Sequence, residues 1–187
     1  MTSTTRRRLL AAAAALPLAR VARAQDLPLT PACGPQAGLT PRQTEGPYYT
    51  PNTPQRTSLL EPGWKGERLI LDGRVVSPQC RPVAKALLDF WHCDEQGYYD
   101  NAGYRYRGHL YADADGRFRL ETILPAIYPG RARHIHVKVQ APGRRILTTQ
   151  LYFPGDPRDG LWRPELVVAM AQRADGKTAA FQFIVDA

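Results

Sequence analysis

After residue 65, short stretches in which apolar residues recur at every second position dominate the chain, a pattern that reads as strands. In His134-Ile135-His136-Val137-Lys138-Val139-Gln140, three aliphatic residues alternate with two histidines and a lysine. Side chains that alternate between two faces belong to a β-strand, because a helix turns by 3.6 residues and would scatter them. Arg68-Leu69-Ile70-Leu71-Asp72-Gly73-Arg74-Val75-Val76 and residues 117–120, 146–153 and 180–185 are strand-like too. Residues 83–91 would put Ala84, Ala86, Leu88 and Phe90 on one face, with Val83, Leu87 and Trp91 on the other beside Lys85 and Asp89. Ser77-Pro78 and Asp113-Ala114-Asp115-Gly116 supply turns. One short helix is expected over residues 164–173, with Pro164 at its first position, where a missing N–H is harmless. Together these predict an all-β fold, an antiparallel β-sandwich with one short helix.

Residues 25–65 are rich in Pro, Gly and Thr and hold no sustained period, so they predict a long extended N-terminal arm wrapped over the sandwich core of residues 66–187. The first 24 residues have a different character. Arg6 to Arg8 precede an Ala-rich apolar stretch too short to span a bilayer, and Ala22-Arg23-Ala24 forms a small-x-small cleavage site before Gln25. Thr5-Arg6-Arg7-Arg8-Leu9-Leu10 resembles a twin-arginine signal, which predicts export to the periplasm or the exterior.

The formal charge of +8 looks like a nucleic-acid signal until its residues are placed. Five of the 25 basic residues lie in that leader, which has no Asp or Glu, leaving 20 against 17 acidic ones. Such a balance implies no nucleic-acid partner and, once the leader is removed, no membrane partner. Cys33, Cys80 and Cys93 remain; an oxidising compartment permits one disulfide and leaves one thiol over, with the pairing open. No C-x-x-C pair exists, which argues against a thiolate zinc site.

His134 and His136 stand two apart on one strand, so both imidazoles project from the same face, a spacing suited to two ligands of one metal ion. Two of the four histidines in the chain fall here. Glu121 is the one nearby carboxylate, so a carboxylate triad or a zinc site would need a distant ligand. Tyrosines are abundant instead: Tyr98, Tyr99, Tyr104, Tyr106, Tyr111, Tyr128 and Tyr152. Phenol ionises near pH 10 and is a poor ligand when neutral, but a hard trivalent cation stabilises the phenolate. Two phenolates and two imidazoles on Fe(3+) would leave a net charge near +1, which favours an anionic bidentate oxygen ligand such as a catecholate.

Trp91-His92-Cys93-Asp94-Glu95-Gln96-Gly97-Tyr98-Tyr99, Arg107-Gly108, Thr122-Ile123-Leu124-Pro125 with Tyr128, and Gly130-Arg131-Ala132-Arg133-His134-Ile135-His136 resemble the catalytic core of the intradiol ring-cleavage dioxygenases. Thr44-Glu45-Gly46-Pro47-Tyr48-Tyr49 and Thr149-Gln150-Leu151-Tyr152-Phe153 extend the likeness, closest to a bare protocatechuate-type core, over roughly residues 40–160. The resemblance implies a ferric enzyme that opens a small aromatic diol between its two hydroxylated carbons with O2, giving a cis,cis-muconate-type diacid without an organic cofactor. It implies Tyr99, Tyr128, His134 and His136 as metal ligands, with Tyr128 the one released when substrate binds. Arg131 would stabilise charge developing on the ring, and Gln150 would lie on the substrate and O2 side. Thr44, Pro47 and Tyr48 would line the substrate pocket. Tyr98 sits beside the expected ligand, so sequence alone offers both. The chain lacks the helical dimerisation region of catechol-type enzymes, which leaves a homo-oligomer open. The competing functions are an exported, non-catalytic sandwich module that binds a ligand, and an enzyme carrying another metal, such as copper, on the histidine pair.

The leader generates a direct test. Mature protein is expected to begin near Gln25, and Arg6→Lys with Arg7→Lys to strand the precursor inside the cell. Fractionation showing normal export of that double variant would rule out the twin-arginine route.

Overall fold

The computed structural model describes residues 33–34 and 38–187 apart from Arg158; the leader, residues 1–24, lies outside the described residues. Eight strands follow in order: β1 (Arg68–Val76), β2 (Leu87–Trp91), β3 (Arg107–Tyr111), β4 (Arg117–Ile123), β5 (His134–Gln140), β6 (Leu147–Tyr152), β7 (Ala169–Arg173) and β8 (Gly176–Ile184). They form two four-stranded sheets, β4-β1-β8-β7 and β3-β2-β5-β6. Every pairing is antiparallel except β1 with β8, which run parallel.

The alternation expected from sequence builds the core. Leu69, Leu71 and Val75 of β1 and Phe181 and Phe183 of β8 face Leu88 and Phe90 of β2 and Ile135, Val137 and Val139 of β5 in one buried cluster. The Phe90 and Phe118 rings meet at 5.8 Å, and Phe118 meets Phe183 at 5.9 Å. Gly73 occupies the inward register of β1 because nothing larger fits. A Cβ there would lie 2.4 Å from both the Phe118 ring and the Phe181 carbonyl oxygen.

Three expectations need correction. The helix expected over residues 164–173 is a single 3-10 turn, Pro164–Leu166, followed by β7. Pro164 does start that turn, but the backbone of residues 169–173 bonds to β8 instead of to itself, a case of tertiary pairing overriding local preference. β3 was not expected, because Arg107, His109 and Tyr111 are polar or amphipathic and Gly108 weakens the apolar half of the alternation. Residues 83–91 are not one continuous strand: Lys85 has φ 58°, Ala84 is exposed, and only from Leu87 does the pairing become regular.

The arm is extended, as expected, and its described part straps the sandwich together. Thr40 pairs with the end of β8, and Gln43 donates to the Thr148 carbonyl on β6. The chain then crosses the outer face of the β3-β2-β5-β6 sheet. Glu45 pairs with Lys138 of β5, Tyr49 and Thr53 donate to Asp89 of β2, and Arg56 donates to the Arg107 carbonyl of β3. Leu59 finally bonds to Glu121 of β4 in the opposite sheet. Upstream, Cys33 is bonded to Cys80 in the turn after β1, and Cys93 is the buried free thiol.

Gly73→Ala is expected to destabilise the protein by roughly 1–3 kcal/mol, the usual range for overpacking a core. An unchanged melting temperature would mean that β1 and β8 can separate to admit the methyl group.

Candidate functional site

The register of β5 decides which side chains leave the core. Ile135, Val137 and Val139 point inward, so His134, His136 and Lys138 must emerge on the outer face, under the arm. Residues opposite one another in neighbouring strands share that face: Trp91 and Gln150 flank His136, and Tyr152 flanks His134. The arm turns the face into an interior, leaving both histidines buried.

Two loops at the same end of the sandwich complete the site. The segment between β2 and β3 carries Tyr99, and the segment between β4 and β5 carries Tyr128 and Arg131. Ala126 N–H donates to the Asp94 carbonyl, tying the two loops together. The Asp94 carboxylate accepts from the backbone of Gln96 and Tyr98, forming a tight turn. Gly97 closes that turn at φ 94°, and a Cβ on it would come within 3.1 Å of Tyr128 Cβ. The glycine therefore permits both the backbone twist and the close approach of the two tyrosine loops.

Four donor atoms converge. His134 Nε2 is 3.1 Å from His136 Nε2, 3.3 Å from the Tyr99 hydroxyl and 3.5 Å from the Tyr128 hydroxyl. Tyr98 points away and is 69% exposed, so the adjacent-tyrosine ambiguity is settled in favour of Tyr99 as the residue facing the histidines. His134 Nδ1 lies 2.7 Å from the Ala132 carbonyl, which fixes its proton there and leaves Nε2 with a free lone pair. His136 is held differently: its ring stacks on Trp91 at 4.8 Å with 5° between planes, and its buried Nδ1 has no hydrogen-bond partner among the described residues.

Burial sets the charge states. It pulls His134 down to about 4 and His136 well below the ordinary imidazole value, so both are neutral. It also pushes the Tyr99 and Tyr128 phenols up, with the Tyr128 hydroxyl adding to the effect on Tyr99 and Arg131 opposing it at both. Phenols this reluctant to ionise alone become ligands when a cation supplies the compensating charge. Among the described residues no cluster of three or more His, Cys, Asp or Glu could hold a metal. Two imidazoles and two phenols remain as the candidate donor set.

The other expected residues fall around this centre. Arg131 donates to Gln150 and to Asp159. Gln150 is fully buried and donates to the Thr44 carbonyl. Tyr48 stacks on Tyr99 at 4.6 Å, its carbonyl accepts from Arg107, and exposed Pro47 precedes it in the turn. A Cβ on Gly46 would lie 3.4 Å from the His136 ring, which places the arm directly over the histidines. Beside Tyr128 and Arg131 opens a cavity of about 430 Å3, lined also by Ile127, Ala132 and Asp159. Sequence reasoning gave no site role to Trp91 or Asp159. Trp91 was legible as the first residue of the Trp91-to-Tyr99 motif but not as a partner of His136, and nothing near Asp159 in sequence marked its contact with Arg131.

Comparison with known proteins bears on this geometry. The Dioxygenase family model matches residues 44–186. Catechol 1,2-dioxygenase 2 of Acinetobacter lwoffii is 32% identical over 146 residues, which cover 64% of this chain and 53% of that protein. The solved dioxygenase domain of a dioxygenase–carbohydrate-binding protein fusion from Streptomyces sp. SirexAA-E is 49% identical with a TM-score of 0.78, covering 80% of this chain and 99% of that one. The 3-chlorocatechol 1,2-dioxygenase of Rhodococcus opacus 1CP is 30% identical with a TM-score of 0.70, covering 75% and 70%. The chain spans about half the length of the curated relatives it matches.

The geometry distinguishes the adjacent tyrosines in solution. In protein loaded with Fe(III), Tyr99→Phe is expected to bleach or shift the phenolate-to-metal charge-transfer band and to lower metal occupancy sharply, whereas Tyr98→Phe keeps both. Visible spectra showing the reverse would put the wrong tyrosine in the donor set.

Proposed function

The chain belongs to the intradiol ring-cleavage dioxygenase family, and on that premise we propose that it opens catechol-type rings between their two hydroxylated carbons with O2, using one ferric ion. The observation that carries this is the convergence of the neutral His136 imidazole and the Tyr99 and Tyr128 phenols within 3.1–3.5 Å of the neutral His134 ring at Nε2. Donors about 2 Å from one ion would be spaced at roughly 3 Å, so the three distances from His134 Nε2 suit a small shared cation. Tyr99, Tyr128, His134 and His136 would hold it. A hard trivalent ion suits the phenols, which give it negative charge as they release their protons. When bound, ferric iron would supply a Lewis acid that draws electron density from a catecholate ring and lets the ring react with O2.

The chain's own residues do the rest. Ala132 and Trp91 fix the planes of the two imidazoles, keeping Nε2 of each aimed into the site. Tyr128 sits on a loop beside the open cavity, and as a phenolate it could take the second catechol proton at its oxygen, becoming a neutral phenol. Arg131 stands ready to stabilise negative charge developing on the ring. The arm residues Thr44 to Tyr48 keep bulk water off the histidines.

A ring without a carboxylate is the favoured substrate, because the matched relatives include catechol and hydroxyquinol 1,2-dioxygenases. The nearby cations mostly have protein partners, although Arg107 Nη2 has none among the described residues. Arg107 is buried and donates to the Tyr48 and Asp100 carbonyls. Arg133 pairs with Asp156 at 3.2 Å, and Arg105 lies over the Tyr106 ring beside Glu95. The enzyme would work outside the cytoplasm after losing residues 1–24, a setting in which the Cys33–Cys80 bond would persist.

Purified protein is expected to hold one iron per chain and to consume O2 with catechol or hydroxyquinol far faster than with protocatechuate. Zinc or copper at full occupancy in active protein would overturn the iron assignment, and a preference for protocatechuate the substrate assignment. Arg131→Leu should keep the metal and its colour while turnover falls on the order of 10²-fold, the usual loss when a transition-state charge stabiliser is removed.

A further inference from the structure

Arginine carries much rotamer freedom, yet a charge stabiliser helps only if it is aimed before the reaction begins. Arg131 is gripped from two sides. Its Nε donates to Asp159 Oδ2 at 2.9 Å, and its Nη2 donates to Gln150 Oε1 at 2.6 Å. Gln150 cannot turn to release it: Oε1 also accepts from the Tyr152 hydroxyl at 3.1 Å, and Nε2 donates to the Thr44 carbonyl at 2.8 Å.

Asp159 sits on the loop after β6, with its side chain 7% exposed. The Ala132 N–H donates to its Oδ2 at 2.9 Å and the Leu161 N–H to its Oδ1 at 2.8 Å. One carboxylate thus fixes the guanidinium and the backbone two residues before His134, and both Asp159 and Arg131 line the cavity beside Tyr128.

We propose that Asp159 is a positioning residue that holds the Arg131 guanidinium toward the four-donor centre, with Gln150 acting as the second half of the same clamp. This rests on the catalytic role of Arg131 proposed above. A carboxylate beside the guanidinium weakens its outward field, so the gain is in orientation, not charge. On this proposal Gln150, whose amide oxygen and nitrogen both have protein partners, acts on the reaction through Arg131.

Asp159→Asn tests this, since it keeps the shape and replaces an acceptor with a donor. Iron content and the visible band should be retained and KM should move by less than about threefold, while kcat falls about tenfold or more. Asp159→Glu, which keeps the charge, should recover most of the rate and also serves if the asparagine variant proves unstable. In the Arg131→Leu background Asp159→Asn should change kcat by less than about twofold, because the residue it positions has gone. Additive losses would mean that Asp159 merely anchors its loop and would overturn the proposal. A readout independent of turnover is the slowly exchanging guanidinium Nε–H of Arg131 in Ga(III)-exchanged protein, assigned by its loss in Arg131→Leu. That NMR signal should vanish in Asp159→Asn, and its persistence sinks the clamp. If no catechol is consumed at all, the proposed function fails while the NMR result still decides the pairing.

Discussion

The site depends on the register of one strand. β5 must place Ile135, Val137 and Val139 in the core, and because side chains alternate strictly, that fixes His134 and His136 on the opposite face. A slip by one residue would bury two imidazoles among Leu88, Phe90 and Phe181 and send three aliphatics outward, a loss no local contact could offset. The hydrophobic core therefore orients the donor pair, and folding and site formation are one event at this strand.

An outer sheet face is normally wet, and here it is not. The arm crosses from β6 to β3 and is pinned at each strand by an ion pair or hydrogen bond. Its residues from Thr44 to Tyr49 become the roof of the site. The dryness that results holds His134 and His136 neutral and keeps the Tyr99 and Tyr128 phenols protonated until a cation arrives. One physical cause, exclusion of water, acts on the two kinds of candidate donor in opposite senses. The same roof reaches Arg131 through Gln150, so displacement of Thr44 would be felt at the guanidinium as well as at the histidines.

The two loops that bring the tyrosines are held by small, local devices. Asp94 caps its own turn and binds the neighbouring loop through its carbonyl, and Gly97 lets Tyr128 approach. The loops and the sheet together keep Tyr99, Tyr128 and His136 within 3.5 Å of His134 Nε2, and a cavity opens beside Tyr128.

Sequence alone determined the sandwich, the extended arm and the histidine pair, since each is written in local periodicity: strict alternation, its absence, and a spacing of two. Both tyrosine loops were marked by the ordered motifs around Gly97-Tyr98-Tyr99 and Tyr128, and the family resemblance pointed to Tyr99 while the residues themselves also offered Tyr98. Which of the two turns inward depended on the path of a loop tied to another about 30 residues away, and the choice of Cys80 as partner of Cys33 on a separate contact 47 residues apart in sequence. The strand at Ala169–Arg173 was illegible because its stabilisation comes from β8, not from its own residues. Stacking of Trp91 on His136 and the grip of Asp159 on Arg131 were illegible for the same reason. Periodicity reports the face a side chain takes, whereas contacts between faces and loops exist only once the chain has closed on itself.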